Sequence, residues 1–452
     1  MRSDDGISRA DAVIIGGGFS GTMIAAQLQR LGLTPVLVEG GGRAGRGAAF
    51  STPEEVHLLN VPAGRMSAWP DDADHFANAV ADDGHEPGDF VPRWRFGAYL
   101  RGVLEKAGTE VCEAQAVGCD RDGDGWLVTL DDGSRIRART LVLAQGNQPP
   151  QPLDAARDLP AGLFLNDPWS DEGRTAIAAV AESGGDVLIV GTGLTMVDVV
   201  LSLDAAGHQG QIVAVSRRGL APRAHAAFEP APVEWDELPK GSLTGLWRWL
   251  RGRGARVGWR AAVDSLRPHS QALWQGLDES EQRRFLRHAR PWWDVHRHRI
   301  APQVADVLRR LIGEGRLEIA AGRVVEMREE GGRLSVAISR RGRCPSTSLG
   351  TNGRRTFAMG VNATGPLGSI ADSEDPLLGG LFEAGLARAD ALGIGLEIDE
   401  HSRVAGAERA WAIGPMTKGR FWEITAVPDI RGQAAAVASN IARELRPRSQ
   451  GK

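Results

Sequence analysis

Two glycine-rich loops constrain the fold of this chain more than any other feature. The first, residues 16–21, reads Gly-Gly-Gly-Phe-Ser-Gly after an apolar run at 12–15. The second, residues 191–194, reads Gly-Thr-Gly-Leu after an apolar run at 187–190. An apolar strand, a glycine turn and a helix form the dinucleotide-binding end of a Rossmann unit. The sequence therefore predicts an α/β fold with two Rossmann-like domains.

The first loop has the residues that an FAD site needs. Gly16 permits the tight turn, Gly18 lets the main chain approach a pyrophosphate, and Gly21 lets helix and strand pack closely. The next apolar strand ends in Glu39, about 20 residues downstream, where a carboxylate binds a ribose hydroxyl. A purely structural glycine turn is the alternative. The residues expected to contact FAD here are Gly16, Gly18, Phe19, Ser20, Gly21 and Glu39.

The second loop departs from the pattern at its third glycine, which Met196 replaces. Its second apolar strand, residues 211–215, ends in a serine and two arginines rather than in an acid. This basic end suits a 2′-phosphate, so NADPH is favoured over NADH. The alternative is that both arginines are solvated surface charges. The residues expected to contact NADPH are Gly191, Gly193, Leu194, Thr195, Ser216, Arg217 and Arg218.

The chain is internally duplicated. Each loop is followed by a predicted β-meander and by an apolar run that ends in a small-residue turn, at Ala144 to Gly146 and at Thr364 to Gly365. The first copy spans 130 residues, from position 16 to position 146, and the second spans 174, from 191 to 365. The 44 extra residues carry apolar side chains at helical spacing. We therefore expect an FAD-binding domain (1–165 and 350–452), an NADPH-binding domain (166–225 and 313–349) and a helical, substrate-capping insertion (226–312).

Composition excludes several classes of function. A chain of 452 residues with a net charge of −4 is too long for one small module and has no general attraction for nucleic acid or anionic membranes. Its apolar runs are too short to span a membrane, which predicts a cytoplasmic protein. The three cysteines form no C-x-x-C pair, which argues against a disulfide reductase. His296 and His298 would diverge on a helix, so no metal is expected.

The motifs together resemble the class B flavoprotein monooxygenases over nearly the full length. Residues 59–70 look like the flavin loop of that class, and Asn60 matches the asparagine beside the reactive edge of the flavin. Residues 60–66, 90–100 and 290–299 are most similar to a subgroup of FAD/NAD(P)-binding proteins. That subgroup includes the aspartate N-monooxygenases that form nitrosuccinate in diazo-antibiotic pathways.

The resemblance implies site residues near the flavin. Asn60 takes the catalytic position, and a late helix beginning near residue 430 would point its N-terminus at the flavin. The further cofactor contacts are Val61, Met66, Gly414 and the turn residues Ala144, Gly146, Thr364 and Gly365. A substrate amine must be neutral to be oxidised, and arginines bind carboxylates while raising the local potential. Solvated or structural roles are the alternative. The candidate substrate-binding residues are Arg65, Arg290, Arg297, Lys418 and Arg420.

The expected function is an NADPH- and O₂-dependent N-monooxygenase that acts through a C4a-hydroperoxyflavin on a small acidic amino acid, with L-aspartate as the specific hypothesis. The alternative is an FAD-dependent NAD(P)H reductase that passes electrons to another acceptor, since the same two-domain frame serves both. A third possibility is a nucleotide-sensing protein without turnover. The expected partners are a small-molecule substrate and O₂, and the sequence leaves the oligomeric state open.

Overall fold

The computed structural model describes residues 7–339 and 354–446. Its strands form two parallel sheets, each associated with an antiparallel meander. In chain order the strands are β1 (Ser8–Ile15), β2 (Pro35–Val38), β3 (Glu110–Cys112), β4 (Ala116–Asp122), β5 (Gly125–Leu130), β6 (Arg135–Leu143), β7 (Phe164–Leu165), β8 (Val187–Val190), β9 (Ile212–Ser216), β10 (Leu317–Ala321), β11 (Arg323–Glu330), β12 (Arg333–Ser339), β13 (Arg354–Phe357), β14 (Met359–Asn362) and β15 (Ala410–Ala412).

Helices flank the sheets and form the insertion. None of those within the described residues is both long and apolar enough to cross a membrane. They are α1 (Phe19–Arg30), α2 (His75–Ala81), α3 (Arg93–Ala107), α4 (Asp171–Ser183), α5 (Leu194–Ala205), α6 (Leu243–Val257), α7 (Trp259–Ser265), α8 (Ser270–Gln275), α9 (Glu279–Arg284), α10 (Arg290–Arg297), α11 (Pro302–Gly313), α12 (Pro376–Glu383) and α13 (Val427–Leu445).

The first sheet has the strand order β3-β2-β1-β6-β5-β4, and β15 also pairs with β6. Successive residues of β1 are buried on opposite faces, Ile14 in the cluster with α1, α3 and α13, and Ile15 in the cluster with α12 and the meander. Apolar residues on both faces are typical of a parallel strand covered on both sides. This burial explains why the apolar run before the first glycine loop is continuous.

β6 is one strand where the sequence analysis expected two. It pairs with β1 along its length, and on its other side it pairs first with β5 and then with β15. Thr140, at the change of partner, donates its hydroxyl to the carbonyl of Asp11. The strand thus joins the meander to the nucleotide-binding sheet without a turn.

The second sheet is entirely parallel, in the order β10-β9-β8-β14-β7. The strands β11, β12 and β13 form a separate antiparallel meander. The molecule therefore contains two Rossmann-like units, each with a meander, as predicted. We call them the first unit and the second unit.

Three of the expected domain boundaries are wrong. β7 and β14 complete the parallel sheet of the second unit, although the sequence analysis assigned residues 164–165 and 359–362 to the FAD-binding domain. α11 packs its apolar face on the same sheet, so residues 302–312 do not belong to the insertion. The reason is the same in each case: the apolar face of the segment is buried against the second sheet.

The insertion is helical, as predicted, and has a small core of its own. Trp293, Leu273 and Val263 are buried there together. α9 and α10 form one continuous helix through a π-helical segment at Phe285–Ala289. π-Segments widen a helix locally and occur often at functional sites.

Two glycines of α3 provide a test of its packing. A Cβ at Gly97 would overlap the carbonyl oxygen of Phe50, whereas a Cβ at Gly102 would have no neighbour within 4 Å among the described residues. We expect Gly102→Ala to raise the free energy of unfolding by about 0.5–1 kcal/mol, because alanine loses less backbone entropy in a helix. Gly97→Ala should lower it. Urea unfolding of both variants measures the difference, and equal effects would contradict the described packing.

Candidate functional site

The first glycine loop lies at the carboxyl end of β1, against the turn that follows β6. Gly16 has φ +105°, and a Cβ there would lie 2.6 Å from the carbonyl oxygen of Ala144. A Cβ at Gly21 would overlap the carbonyl oxygen of Gly16. The loop can therefore turn this tightly only with glycine at these positions.

The N-terminus of α1 and the carboxylate of Glu39 converge on this loop. The N-cap residue of α1 is Gly18, which has no side chain to cap the helix, so its first N–H groups are available to an anion. Glu39 accepts hydrogen bonds from the backbone N–H groups of Gly17 (2.7 Å) and Gly41 (3.0 Å). The predicted Gly16, Gly18, Gly21 and Glu39 thus share one cradle.

The C-terminal part of the chain reaches the same cradle. A Cβ at Gly414 would overlap the hydroxyl of Ser20, and the Gly414 N–H donates to the side chain of Gln433 at 2.8 Å. Gly414 therefore lies beside the first loop. α13 begins at Val427, three residues before the position expected from the sequence, because Pro428 occupies its first turn.

The second glycine loop repeats this geometry. Gly191 has φ +123°, and a Cβ there would overlap the carbonyl oxygen of Ala363, the residue that follows β14. The N-cap residue of α5 is Gly193, and a Cβ at Gly193 would have no described atom within 4 Å. Met196, which stands where a third glycine is usual, is fully buried. The longer side chain is accommodated in the core under α5.

The residues at the end of β9 differ in how free their side chains are to bind a phosphate. Ser216 lies 2.8 Å from the hydroxyl of Thr192 and accepts the N–H of Gly219 at 3.1 Å. Arg218 donates weakly, at 3.4 Å, to carbonyl groups of the π-helical segment. Arg217 is exposed and has no hydrogen bond or ion pair within the part of the chain that the structure describes. Arg217 is therefore the better of the two predicted phosphate-binding groups.

The predicted flavin loop is held from both units. The backbone carbonyl of Asn60 accepts a hydrogen bond from Nε2 of His225 at 3.0 Å, and the His225 ring packs at 5.0 Å from that of Phe90. Burial lowers the pKa of the His225 imidazole. Met66 is buried in the core of the first unit. The sequence analysis missed His225, which belongs to no motif.

The five predicted substrate-binding residues do not form one site. Arg297 binds Glu423 at 3.0 Å and is nearly buried, so it is committed to a protein carboxylate and is not retained as a substrate-binding residue. Arg290 pairs with Asp294 at 3.2 Å. Arg420 lies 3.6 Å from Glu400. Two candidates remain without a carboxylate within 4 Å among residues 7–339 and 354–446, and these are Arg65 and Lys418.

Lys418 lies in a second charged group. Burial lowers the pKa of its ammonium group, and its charged neighbours are Arg290 and Asp390. Asp390 has one carboxylate oxygen that is buried without a hydrogen-bond partner, and burial raises the pKa of that carboxyl.

Arg267, which the sequence analysis missed, is a further basic residue near Arg65 of the flavin loop. It lies in a short 3₁₀-helix (Arg267–His269) after α7. Burial lowers the pKa of its guanidinium, and the charged groups that act on that pKa are Arg297, Asp429, Arg65 and Asp264. No described carboxylate lies within 4 Å of it. The dipeptide Arg267-Pro268 carries no signal from which this position could have been predicted.

Around Arg267 the insertion, the flavin loop and the first turn of α13 converge. Asp429 is in that turn, and burial raises the pKa of its carboxyl. Arg431 donates to the carbonyl of Ser67 at 2.8 Å, which fixes α13 on the loop. Asp264, the remaining charged neighbour of Arg267, pairs with Arg299. The other six groups are four guanidiniums and two carboxylates, an excess of positive charge. We call this set the arginine cluster; it contains Arg65, Arg267, Arg297, Arg431, Glu423 and Asp429.

Comparison with known proteins agrees with this architecture. Residues 13–148 match the family described as FAD-NAD(P)-binding. No curated protein matches the chain. The L-lysine 6-monooxygenase from Pseudomonas syringae has a similar structure, with a TM-score of 0.67, 18% identity, and 97% of this chain and 100% of that chain covered.

Two further solved structures are similar over their whole lengths. The ornithine N-hydroxylase from Kutzneria sp. 744, with reduced FAD, NADP⁺ and L-ornithine, has a TM-score of 0.67 and 14% identity, with 96% of this chain and 99% of that chain covered. The ornithine hydroxylase from Pseudomonas aeruginosa has a TM-score of 0.65 and 16% identity, with 97% and 100% covered. At these identities the likeness shows that the fold is shared.

The second glycine of each loop offers a test that separates binding from folding. In Gly18→Ala the new Cβ would meet only an ordinary contact at 3.6 Å, and in Gly193→Ala it would meet no described atom within 4 Å. Both variants should fold normally, but each methyl group would stand where a pyrophosphate approaches the main chain. We expect Gly18→Ala to lose affinity for FAD and Gly193→Ala for NADPH, measured by calorimetry.

Each variant is the control for the other. Loss of both cofactors in one variant, or unchanged affinity for both, would contradict the assignment of one nucleotide to each loop.

Proposed function

We propose that the protein is an FAD- and NADPH-dependent N-monooxygenase that oxidises the amine of a small acidic amino acid, with L-aspartate as the best candidate. The observation that carries the proposal is the presence of two glycine cradles in one chain, at Gly16 and Gly191, each closed by the carbonyl oxygen of a neighbouring strand. Two such cradles suit a protein that binds a flavin and a nicotinamide nucleotide together.

The residues of each cradle fit one nucleotide. On the first, the N-terminus of α1 would bind the FAD pyrophosphate and Glu39 a ribose hydroxyl. On the second, the N-terminus of α5 would bind the NADPH pyrophosphate and Arg217 the 2′-phosphate. The chemistry that bound FAD would supply is the transfer of electrons from NADPH to dioxygen.

The solved neighbours support N-hydroxylation as the reaction. A lysine 6-monooxygenase and two ornithine hydroxylases share this architecture over their full lengths, and one of them holds FAD and NADP⁺. Fold alone does not assign a reaction. The support therefore lies in the combination of that fold with an asparagine-containing flavin loop, on which Asn60 is held by His225.

The arginine cluster supports an acidic substrate. Arg65, on the flavin loop, and Arg267, near it, are guanidinium groups without a protein carboxylate within 4 Å in the described chain. Guanidinium groups bind carboxylates in two-point geometry. Their positive potential also lowers the pKa of a nearby amine, which favours the neutral form that can be oxidised. An amino acid with a cationic side chain would be repelled from such a cluster.

Aromatic side chains pack the insertion against the C-terminal segment beside the arginine cluster. Trp274 stacks on Trp422 with ring centroids 4.8 Å apart, and Phe285 packs edge-on against Trp422 at 5.2 Å. The Trp293 indole donates to Glu423, the partner of Arg297. These aromatic contacts pack the insertion against the C-terminal segment next to Glu423 of the cluster, where exclusion of water would favour the proposed reaction.

A panel of amino acids with purified protein, FAD and NADPH tests the proposal. L-Aspartate should accelerate NADPH consumption and yield a hydroxylamine, nitroso or nitro product, whereas L-lysine and L-ornithine should not. If aspartate does neither, the proposed substrate is wrong. If NADPH reduces the flavin but the reduced flavin returns at once to the oxidised form in air, without any product, the reductase alternative is favoured.

Arg267→Ala tests the role of the arginine cluster in substrate binding. Loss of a charge-assisted contact costs about 1.5–3 kcal/mol, so the KM for aspartate should rise by roughly 10- to 150-fold. Flavin reduction without substrate should be unchanged. Arg251→Ala, an exposed arginine of α6 in the same insertion, is the matched control. If the KM for aspartate is the same in both variants, Arg267 does not bind the substrate.

A further inference from the structure

A buried polar network joins the first unit to the helix that carries the second glycine loop. Arg93, the first residue of α3, makes a two-point ion pair with Asp198 of α5, at 2.9 and 3.0 Å. The side chains are 13% and 5% exposed, so the pair is shielded from solvent. Residues 105 positions apart in the sequence are thus joined across the interface between the units.

A second set of hydrogen bonds lies beside this pair. His57, which is 2% exposed, donates from Nε2 to the backbone carbonyl of Asp198 at 3.1 Å, and its Nδ1 accepts from the hydroxyl of Thr52 at 2.7 Å. One turn further along α5, Ser202 donates to Glu54 at 2.6 Å. One tautomer of His57 satisfies both of its ring nitrogens, so the network is complete.

The same arginine also fixes the flavin loop. Nε of Arg93 donates to the carbonyl of Leu58 at 3.1 Å, and the Arg93 N–H donates to the carbonyl of His57 at 2.8 Å. Leu58 precedes Asn60 by two residues and packs against the core of the second unit. One side chain therefore touches both the helix of the second glycine loop and the start of the flavin loop.

We propose that Arg93 and Asp198 are positioning residues that hold α5 and the flavin loop in one fixed orientation, so that the nicotinamide and flavin sites stay aligned. Rotation of the second unit would separate the pair and leave a buried, unpaired carboxylate, which is strongly unfavourable. Close packing between the two units, together with a buried polar network that is satisfied in only one geometry, favours a single relative orientation of the units. The consequence for hydride transfer rests on the proposed function, but the fixed orientation does not.

The orientation can be measured without any turnover. Spin labels at Lys106→Cys on α3 and Ala178→Cys on α4, both exposed positions, report the distance between the units by pulsed electron resonance. We expect one narrow distance in the wild-type background, with or without NADP⁺. Asp198→Ala should broaden or shift it. The background carries alanine at the native cysteines, Cys112, Cys119 and Cys344.

Asp204→Ala is the matched control, because it removes a carboxylate from the same helix. Asp204 pairs with Arg310 of α11 at 2.6 Å, inside the second unit. It should leave the distance unchanged. A distance distribution in Asp198→Ala equal to that of Asp204→Ala overturns the proposal, as do two distances in the wild type. Should Asp198→Ala fail to fold, Asp198→Asn keeps an acceptor for Arg93 and serves in its place.

Anaerobic stopped-flow gives the functional consequence. In Asp198→Asn the rate of flavin reduction by NADPH should fall by about 10- to 100-fold, as expected from a small misalignment of reacting groups, with the Kd for NADPH unchanged. A purely structural role would change affinity or stability instead. If wild-type flavin is not reduced by NADPH at all, the proposed function fails while the distance measurement still decides the orientation.

Discussion

Both units depend on the approach of one glycine to the carbonyl oxygen that follows a neighbouring strand. Gly16 lies against Ala144, and Gly191 lies against Ala363, at equivalent places in the two sheets. Because β1 and β6, and likewise β8 and β14, are parallel, their carboxyl ends meet at one edge of each sheet. The crevice at that edge is where open α/β sheets bind ligands. Any Cβ at these glycines would displace the turn and, with it, the helix N-terminus.

The electrostatics near the flavin loop follow from which arginines have protein partners. Arg297 is neutralised by Glu423, whose backbone adopts a positive φ of +66° to place its carboxylate there. Arg267 and Arg65 have no such partner in the described chain. Arg65 is exposed, whereas Arg267 is half-buried. A half-buried charge without a counter-ion is unfavourable and is stabilised when a ligand supplies one. The insertion thus brings a charge to the site that the two Rossmann-like units do not contain.

The start of the flavin loop is held to the rest of the molecule at two points. Arg93 fixes it to α5 through Leu58, and His225 fixes it to the chain that enters the insertion. The loop is therefore positioned by the second unit as much as by the first. This arrangement links the two nucleotide cradles through buried, fully partnered polar groups rather than through a flexible linker.

Local patterns in the sequence determined the two Rossmann-like units, the glycine loops, the carboxylate of Glu39 and the helical nature of the insertion. These features depend on neighbours within a few residues, which apolar periodicity and glycine spacing report directly. The continuity of β6 and the assignment of β7, β14 and α11 to the second unit depend on pairing partners far along the chain. The sequence pattern located β14 and the helical stretch that contains α11 but not their partners, and it predicted no strand at the position of β7.

The availability of charged side chains was decided only by the tertiary structure. Arg297 and its partner Glu423 are 126 residues apart, and nothing local distinguishes Arg297 from Arg267. One of them is paired and the other is not, because the C-terminal segment places the carboxylate of Glu423 against Arg297, whereas no described carboxylate comes within 4 Å of Arg267. Ion pairing is a property of distances in space, and a linear pattern of charges does not contain those distances.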